Sequence, residues 1–249
     1  MIKVVIIGLG NVAFHLIKAI EDNNSIDLVQ VFSRSKNNLL TTVNSSKITN
    51  SITDLKEADL YIISVSDKAI EEVSNQILFS NKLVVHTSGA MDFNVIHPKN
   101  KRGVFYPLQT FSKNKAISMS EVPFCIETEY EEDYKLVEKL ATSLSPLVYK
   151  INGAQRKSLH ISAVFVSNFV NHMYQIAHSL CEKNNVPFAI LHPLIEETAH
   201  KIKTLSPVES QTGPAIRFDE QTIEKHLKAI ENPIYKELYQ KITSSIQNV

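Results

Sequence analysis

The sequence has little with which to build covalent or metal staples. Its 249 residues include two cysteines, Cys125 and Cys181, far apart and without C-x-x-C spacing, which excludes a disulfide framework and a cysteine-ligated metal. Free thiols in a reducing cytoplasm are the expectation. Net charge is also missing, because 26 basic residues balance 26 acidic ones and no Lys/Arg block stands out. Nothing therefore draws the chain to nucleic acid or to an anionic membrane, and a small-molecule substrate is the expected partner. The longest stretch without a charged residue, Ser158–Cys181, holds too many Asn, Gln, His and Ser residues to be a membrane span. Since the chain starts directly on a strand pattern, no signal or transit segment is expected. There is no G-x-S-x-G nucleophile elbow and no Walker P-loop. At 43% hydrophobic the chain is not disordered, and its length allows one large or two modest domains.

What is present begins at the first residue. A β-branched run, Ile2–Ile7, drives into Gly8-Leu9-Gly10-Asn11-Val12-Ala13, a G-x-G-x-x-A dinucleotide fingerprint. Gly8 permits the tight turn, Gly10 lets backbone approach a pyrophosphate, and Ala13 lets the following helix pack closely on the sheet. Up to about residue 152, strand candidates alternate with helical patterns: 27–32, 47–50, 60–65, 83–87, 103–105, 123–127 and 147–151 with helices at 12–21, 68–78 and 131–144. That alternation predicts a doubly wound, mainly parallel α/β sheet. Only helical patterns follow, at 156–184, 187–205, 220–230 and 233–246. The expected division is 1–152 for nucleotide binding and 153–249 for a helical domain, joined without a flexible linker.

The second strand candidate ends in Ser33-Arg34-Ser35, where an NAD site would place an acid to bond the ribose 2′-hydroxyl. A guanidinium between two hydroxyls suits a 2′-phosphate, so NADP is expected over NAD. Val65-Ser66 and Ser88-Gly89, at the carboxyl ends of two later strands, are candidates for the cofactor and substrate, although Ser66-Asp67 also suits a helix cap. A loop containing Gln109 could wall the same pocket. On the charge-free helix, His160, Ser167, Asn171 and His178 fall on one line at a helical period. His160 is the candidate proton-transfer group and Asn168 the orienting amide. The apolar side of that helix suggests a homodimer. His192, Glu196 and His200 share a helix face but spread too far for one ion, so no metal is expected. Arg217, after Thr212-Gly213-Pro214, offers a fork to an anionic substrate.

Taken together, the glycine turn, S-R-S, V-V-H-T-S-G-A at 84–90, F-Y-P-L-Q-T-F at 105–111, H-I-S-A-V-F-V-S-N-F from His160 and T-G-P-A-I-R-F-D at 212–219 resemble the Rossmann-like proteins with a C-terminal DUF2520 domain. These are relatives of pyrroline-5-carboxylate reductase and the 6-phosphogluconate dehydrogenase superfamily. The resemblance implies an NADP-binding Rossmann domain and a helical domain of the 6-phosphogluconate dehydrogenase C-terminal type that mediates dimerisation. Hydroxyacid dehydrogenases of that superfamily use a Lys one turn before an Asn on the first helix of the helical domain. Here Val164 precedes Asn168 by one turn, so that mechanism is not implied. Two functions follow as expectations: an NADP-dependent oxidoreductase acting on a small, carboxylated metabolite in an interdomain cleft, or an NADP-binding sensor without turnover.

Overall fold

The structure, a computed structural model, describes residues 1–34 and 43–248. By compactness the chain parts into two units, Met1–Ser167 and Asn168–Val249. The first is built on one sheet of eight strands, β1 (Ile2–Ile7), β2 (Ile26–Phe32), β3 (Ile48–Thr49), β4 (Leu60–Ile63), β5 (Leu83–His86), β6 (Lys101–Pro107), β7 (Phe124–Thr128) and β8 (Val148–Lys150), in the spatial order β3-β2-β1-β4-β5-β6-β7-β8. All neighbours are parallel except β6 and β7. Among the described residues four α-helices complete the unit: α1 (Asn11–Glu21), α2 (Asp67–Gln76), α3 (Glu131–Leu144) and α4 (Gly153–Ala163). This is the doubly wound sheet that the alternation predicts.

Burial explains the strands. Every residue of β4 and β5 is buried, the continuous run expected of parallel strands covered on both faces. Because successive side chains alternate between faces, Val4 and Ile6 of β1 join Leu16 and Ile17 of α1 in one core, while Val5 and Ile7 join Ile70 of α2 in the other. Strand β6 is longer than its sequence pattern suggests. Leu83 of β5 holds its first residue, Lys101, and antiparallel pairing with Phe124 holds its last, Pro107. The strand order reverses at β1, which lies between β2 and β4, and opens a crevice at the carboxyl ends of β1 and β4.

The expected helix 156–184 forms as three segments. Its start lies earlier, at Gly153, because Asn152 and Gln155 make a reciprocal capping box. After α4 comes a π-helical turn, Val164–Phe169, and then α5 (Val170–Lys183). A helical period of 3.6 residues does not hold through that wider turn.

The second unit is helical, with α5, α6 (His192–Lys201), α7 (Pro207–Ser210), α8 (Glu220–Ala229) and α9 (Pro233–Gln247). Among its described hydrophobic residues only Ala215, Ile223 and Ile230 are buried, whereas Ile190, Leu194, Val208 and Ile234 are 63–69% exposed. No helix among the described residues is long and apolar enough to cross a membrane.

Candidate functional site

The glycine turn is shaped by close approach. Gly8 adopts φ +126°, and a Cβ there would lie 2.2 Å from the Ser64 carbonyl oxygen, so both conformation and space demand glycine. Its N–H donates to the Phe32 carbonyl at 2.9 Å, tying the turn to the end of β2. Gly10 occupies the N-cap of α1 and has no side chain to offer the helix. The first-turn N–H groups are then available to an anion. Around the turn lies a cavity of about 570 Å³, lined also by Ser33, Arg34, Ser64, Val65, Ser66 and Thr87, a volume typical of small-molecule and cofactor sites.

The individual candidates divide by position. Gly8, Gly10, Asn11 and Val12 line the cavity, as do Ser33, Arg34, Val65 and Ser66. Ala13 is fully buried in the core between α1 and the sheet, where its small side chain permits close packing. Ser35 lies outside the described residues. Ser66 takes the N-cap position of α2, yet its side chain makes no capping bond, so the hydroxyl is not used on the helix. Ser88 is engaged in its own turn, since its Oγ accepts from the N–H groups of Ala90 and Met91, each at 3.1 Å. Gln109 is exposed, and its Oε1 accepts from the Thr110 N–H at 2.8 Å.

Beyond β5 and β6, three residues meet that no sequence pattern joins. The Tyr106 hydroxyl lies 3.3 Å from His160 Nδ1, with the two rings edge to face. Gly89 makes room for the pair, because a Cβ there would stand 2.5 Å from Tyr106 Cζ and 2.8 Å from His160 Nδ1. Burial pushes the Tyr106 phenol up to about 12, with smaller contributions from Cys125 and Asp67. His160 was legible in the sequence as a candidate, but Tyr106 was visible only as part of a wall loop. The signal that could have singled it out is the small residue at 89, since a glycine after a buried strand often marks a close approach.

Buried charge holds this arrangement from below. Arg156 is fully buried; its Nη1 pairs with Glu127 Oε2 and its Nη2 donates to the Met91 carbonyl at 2.8 Å. Glu127 Oε1 also accepts from the Gly153 N–H at 2.9 Å, a carboxylate placed at the helix N-terminus where the dipole favours it. Arg156 lies one turn before His160 on α4, so this clamp fixes the face that meets Tyr106. His86, at the end of β5, is buried and linked to the Asp92 carbonyl through Nε2 at 3.2 Å and to the Ser88 N–H through Nδ1 at 3.2 Å. Burial depresses it to about 4. It is therefore a neutral strut beneath the Ser88-Gly89 turn.

In the helical unit, Asn168 is exposed on the π turn and Arg217 is exposed before α8. Arg217 follows a turn in which Gly213 has φ +109°, and it precedes Phe218, a non-glycine residue at φ +53°, a conformation uncommon for a bulky side chain. Asp219 caps α8 by accepting from Thr222 N–H and Oγ1–H at 3.1 and 2.8 Å. Also in this unit, His226 Nδ1 lies 2.8 Å from the Tyr239 hydroxyl.

A family model described as a domain of unknown function, DUF2520, matches residues 122–246, and one described as NADP oxidoreductase, coenzyme F420-dependent, matches residues 3–89. A Bacteroides fragilis structure described as an NADP oxidoreductase is similar at 39% identity and TM-score 0.90, over 100% of this chain and 98% of that one. A Thermotoga maritima protein is similar at 21% identity and TM-score 0.75, over 98% and 97%. Plasmodium falciparum pyrroline carboxylate reductase, solved with NADP bound, shares the fold at 17% identity and TM-score 0.61, over 99% and 98%. A search of the curated proteins finds no match. Sheet order, glycine turn and the match over residues 3–89 place the chain in the class of NAD(P)-dependent oxidoreductases, with NADP as the cofactor of that class. Within it, the chain belongs to the DUF2520 family.

Proposed function

We propose that the protein reduces a C=O or C=N bond of a small carboxylated metabolite, or in reverse oxidises the corresponding alcohol or amine. The residues present fit NADP: a glycine cradle that a Cβ would fill at Gly8, a helix start without a side-chain cap at Gly10, and Arg34 on the cavity wall. In this reading the turn Gly8–Val12 holds the pyrophosphate. Arg34, with Ser33 and Ser35, takes the 2′-phosphate, while Val65 and Ser66 line the approach to the nicotinamide. When bound, the cofactor supplies or accepts a hydride at its nicotinamide ring. The chain must then handle one proton and orient the substrate.

The observation that carries the reading is the Tyr106–His160 pair beside Gly89. A phenol held near 12 by burial stays protonated at neutral pH, so it serves as donor and not as base. His160, 3.3 Å away, passes the proton in or out. Ser88, Gly89 and Gln109 are the groups we assign to the substrate side. The test is His160→Gln, which keeps hydrogen bonding but removes proton exchange. In a screen of small carbonyl and imine compounds followed by loss of reduced nicotinamide absorbance, the variant should lose about 10²–10⁴-fold in kcat with NADPH affinity unchanged. Unaltered turnover would reduce His160 to packing.

The division we propose assigns residues 1–152 to cofactor binding and 153–249 to substrate contact and a homodimer. Support for the dimer is the helical unit's lack of interior, since three buried hydrophobic residues cannot stabilise a fold of that size while Ile190, Leu194, Val208 and Ile234 stand exposed. A second copy covering those residues supplies the missing core. A cytoplasmic location suits Cys125 and Cys181, both free thiols.

A further inference from the structure

We infer that Lys113 is a positioning residue for the cofactor pyrophosphate, clamping the Leu9–Gly10 peptide from behind the glycine turn; the inference rests on the cofactor reading above. Lys113 Nζ donates to the Leu9 carbonyl at 3.0 Å across 104 residues of sequence. The peptide it grips is trans, as are all those described, so the Gly10 N–H points away from the carbonyl and hence away from Lys113. The two sides of that peptide are different places. Lys113 lines a separate hollow of about 540 Å³ along α1, with His15 and Lys18, whereas Leu9 and Gly10 line the nucleotide cavity. The ammonium thus sits on one side and the amide is presented on the other.

A clamp is useful here because the Leu9–Gly10 peptide turns about Leu9 ψ and Gly10 φ, and glycine leaves the second of these rotations at little steric cost. Gly8 is fixed by its own bond to Phe32, and the Gly10 carbonyl accepts from the Phe14 N–H at 3.0 Å, but neither bond holds the Leu9 carbonyl or the Gly10 N–H, the two groups of the peptide between them. Lys113 is itself held at its root. His15, buried on α1, contacts the Ser112 carbonyl through Nε2 at 2.9 Å and packs on Phe111. An ammonium on a carbonyl also polarises the peptide and strengthens its N–H as a donor. The result is a turn whose amide is oriented for a phosphate oxygen before the cofactor arrives.

Because the clamp acts through the pyrophosphate turn, its loss should affect every dinucleotide equally and leave the 2′-phosphate site alone. The experiment is calorimetry of the full chain and its Lys113→Met and Lys113→Arg variants with three probes: NADPH, NADH and adenosine 2′-monophosphate. Lys113→Met should weaken NADPH and NADH by the same factor, about tenfold for one misaligned charge-assisted contact. The 2′-monophosphate should bind as before, and Lys113→Arg should recover most of the loss. Equal NADPH affinity in Lys113→Met and the parent overturns the inference alone, as does a parallel loss of the 2′-monophosphate, which marks a general structural defect. A parent protein that binds neither dinucleotide overturns the cofactor reading and this inference with it.

Discussion

Gly89→Ala isolates the proton-transfer geometry with a single methyl group. Gly89 does not have a left-handed φ, so the backbone accepts alanine and the entire effect comes from what the new Cβ meets. Ideal placement puts it 2.5 and 2.8 Å from Tyr106 Cζ and Cε1 and 2.8 Å from His160 Nδ1, against carbon contacts of about 3.5–4.0 Å at rest. Each ring must therefore retreat by roughly 1 Å. Rings displaced that far cannot keep their present alignment, and the Tyr106–His160 contact at 3.3 Å already stands near the limit of hydrogen-bond reach. Overpacking at such a site costs about 1–3 kcal/mol of stability, which a fold of this size tolerates. A misplacement of that size costs about 10²-fold in rate, and full loss of the proton donor up to about 10⁴-fold. Urea unfolding, NADPH calorimetry and steady-state turnover on one preparation separate the outcomes. The reasoning predicts a folded protein with parental NADPH affinity and a kcat lowered by at least about 10²-fold. Parental turnover in Gly89→Ala would refute it, because the methyl cannot be accommodated without displacing both Tyr106 and His160.

Three further outcomes follow from features at a distance from that pair. Arg34→Ala should narrow the preference for NADPH over NADH by about 10–100-fold, the loss of one charge-assisted contact to the 2′-phosphate, and equal parental affinities for the two cofactors would end that assignment. His86 is held at about 4 in the fold against an ordinary value of 6.5, so the unfolded chain takes up the proton first and stability falls as pH drops from 6.5 towards 4. Unfolding free energies should decrease by roughly 1.5 kcal/mol between pH 6.5 and 5, a decrease that His86→Gln should remove; an identical slope in the variant would contradict a neutral buried imidazole. Light scattering at micromolar concentration should give twice the 28.0 kDa chain mass, and a monomer would leave the exposed apolar residues of the helical unit unexplained.

Most of the sheet was legible because burial on both faces writes itself into continuous β-branched runs. Strands β1, β4 and β5 and helix α3 lie where their patterns put them to within two residues. The cofactor turn was readable for a related reason, since its requirements are local and fall on consecutive residues. The Tyr106–His160 pair was half legible. His160 stands on an oddly uncharged helix, but Tyr106 is 54 residues away and reaches it only through the register of β6 and the gap at Gly89. Arg156 and Glu127 were invisible for the opposite reason, because charged side chains read as surface unless their partner is known. The π turn at Val164–Phe169 leaves no mark in composition, and a constant helical period gives no sign of it.

The buried guanidinium of Arg156 also determines where this chain can be divided. A cut at the compositional change after Asn152 would strand Glu127 without its counter-ion and without the Gly153 amide. Removing one partner of a buried pair costs about 3–5 kcal/mol, a large part of the roughly 5–15 kcal/mol by which a domain is stable. A cut beyond Ala163 keeps both bonds inside one fragment. The DUF2520 match begins at residue 122, just ahead of β7 and of Glu127, so both ends of the ion pair fall within one inherited segment. In any chimera that exchanges the helical part between relatives, strands β7 and β8 and helices α3 and α4 should travel together as a single module, with the join placed before Val122 and not at the apparent domain border.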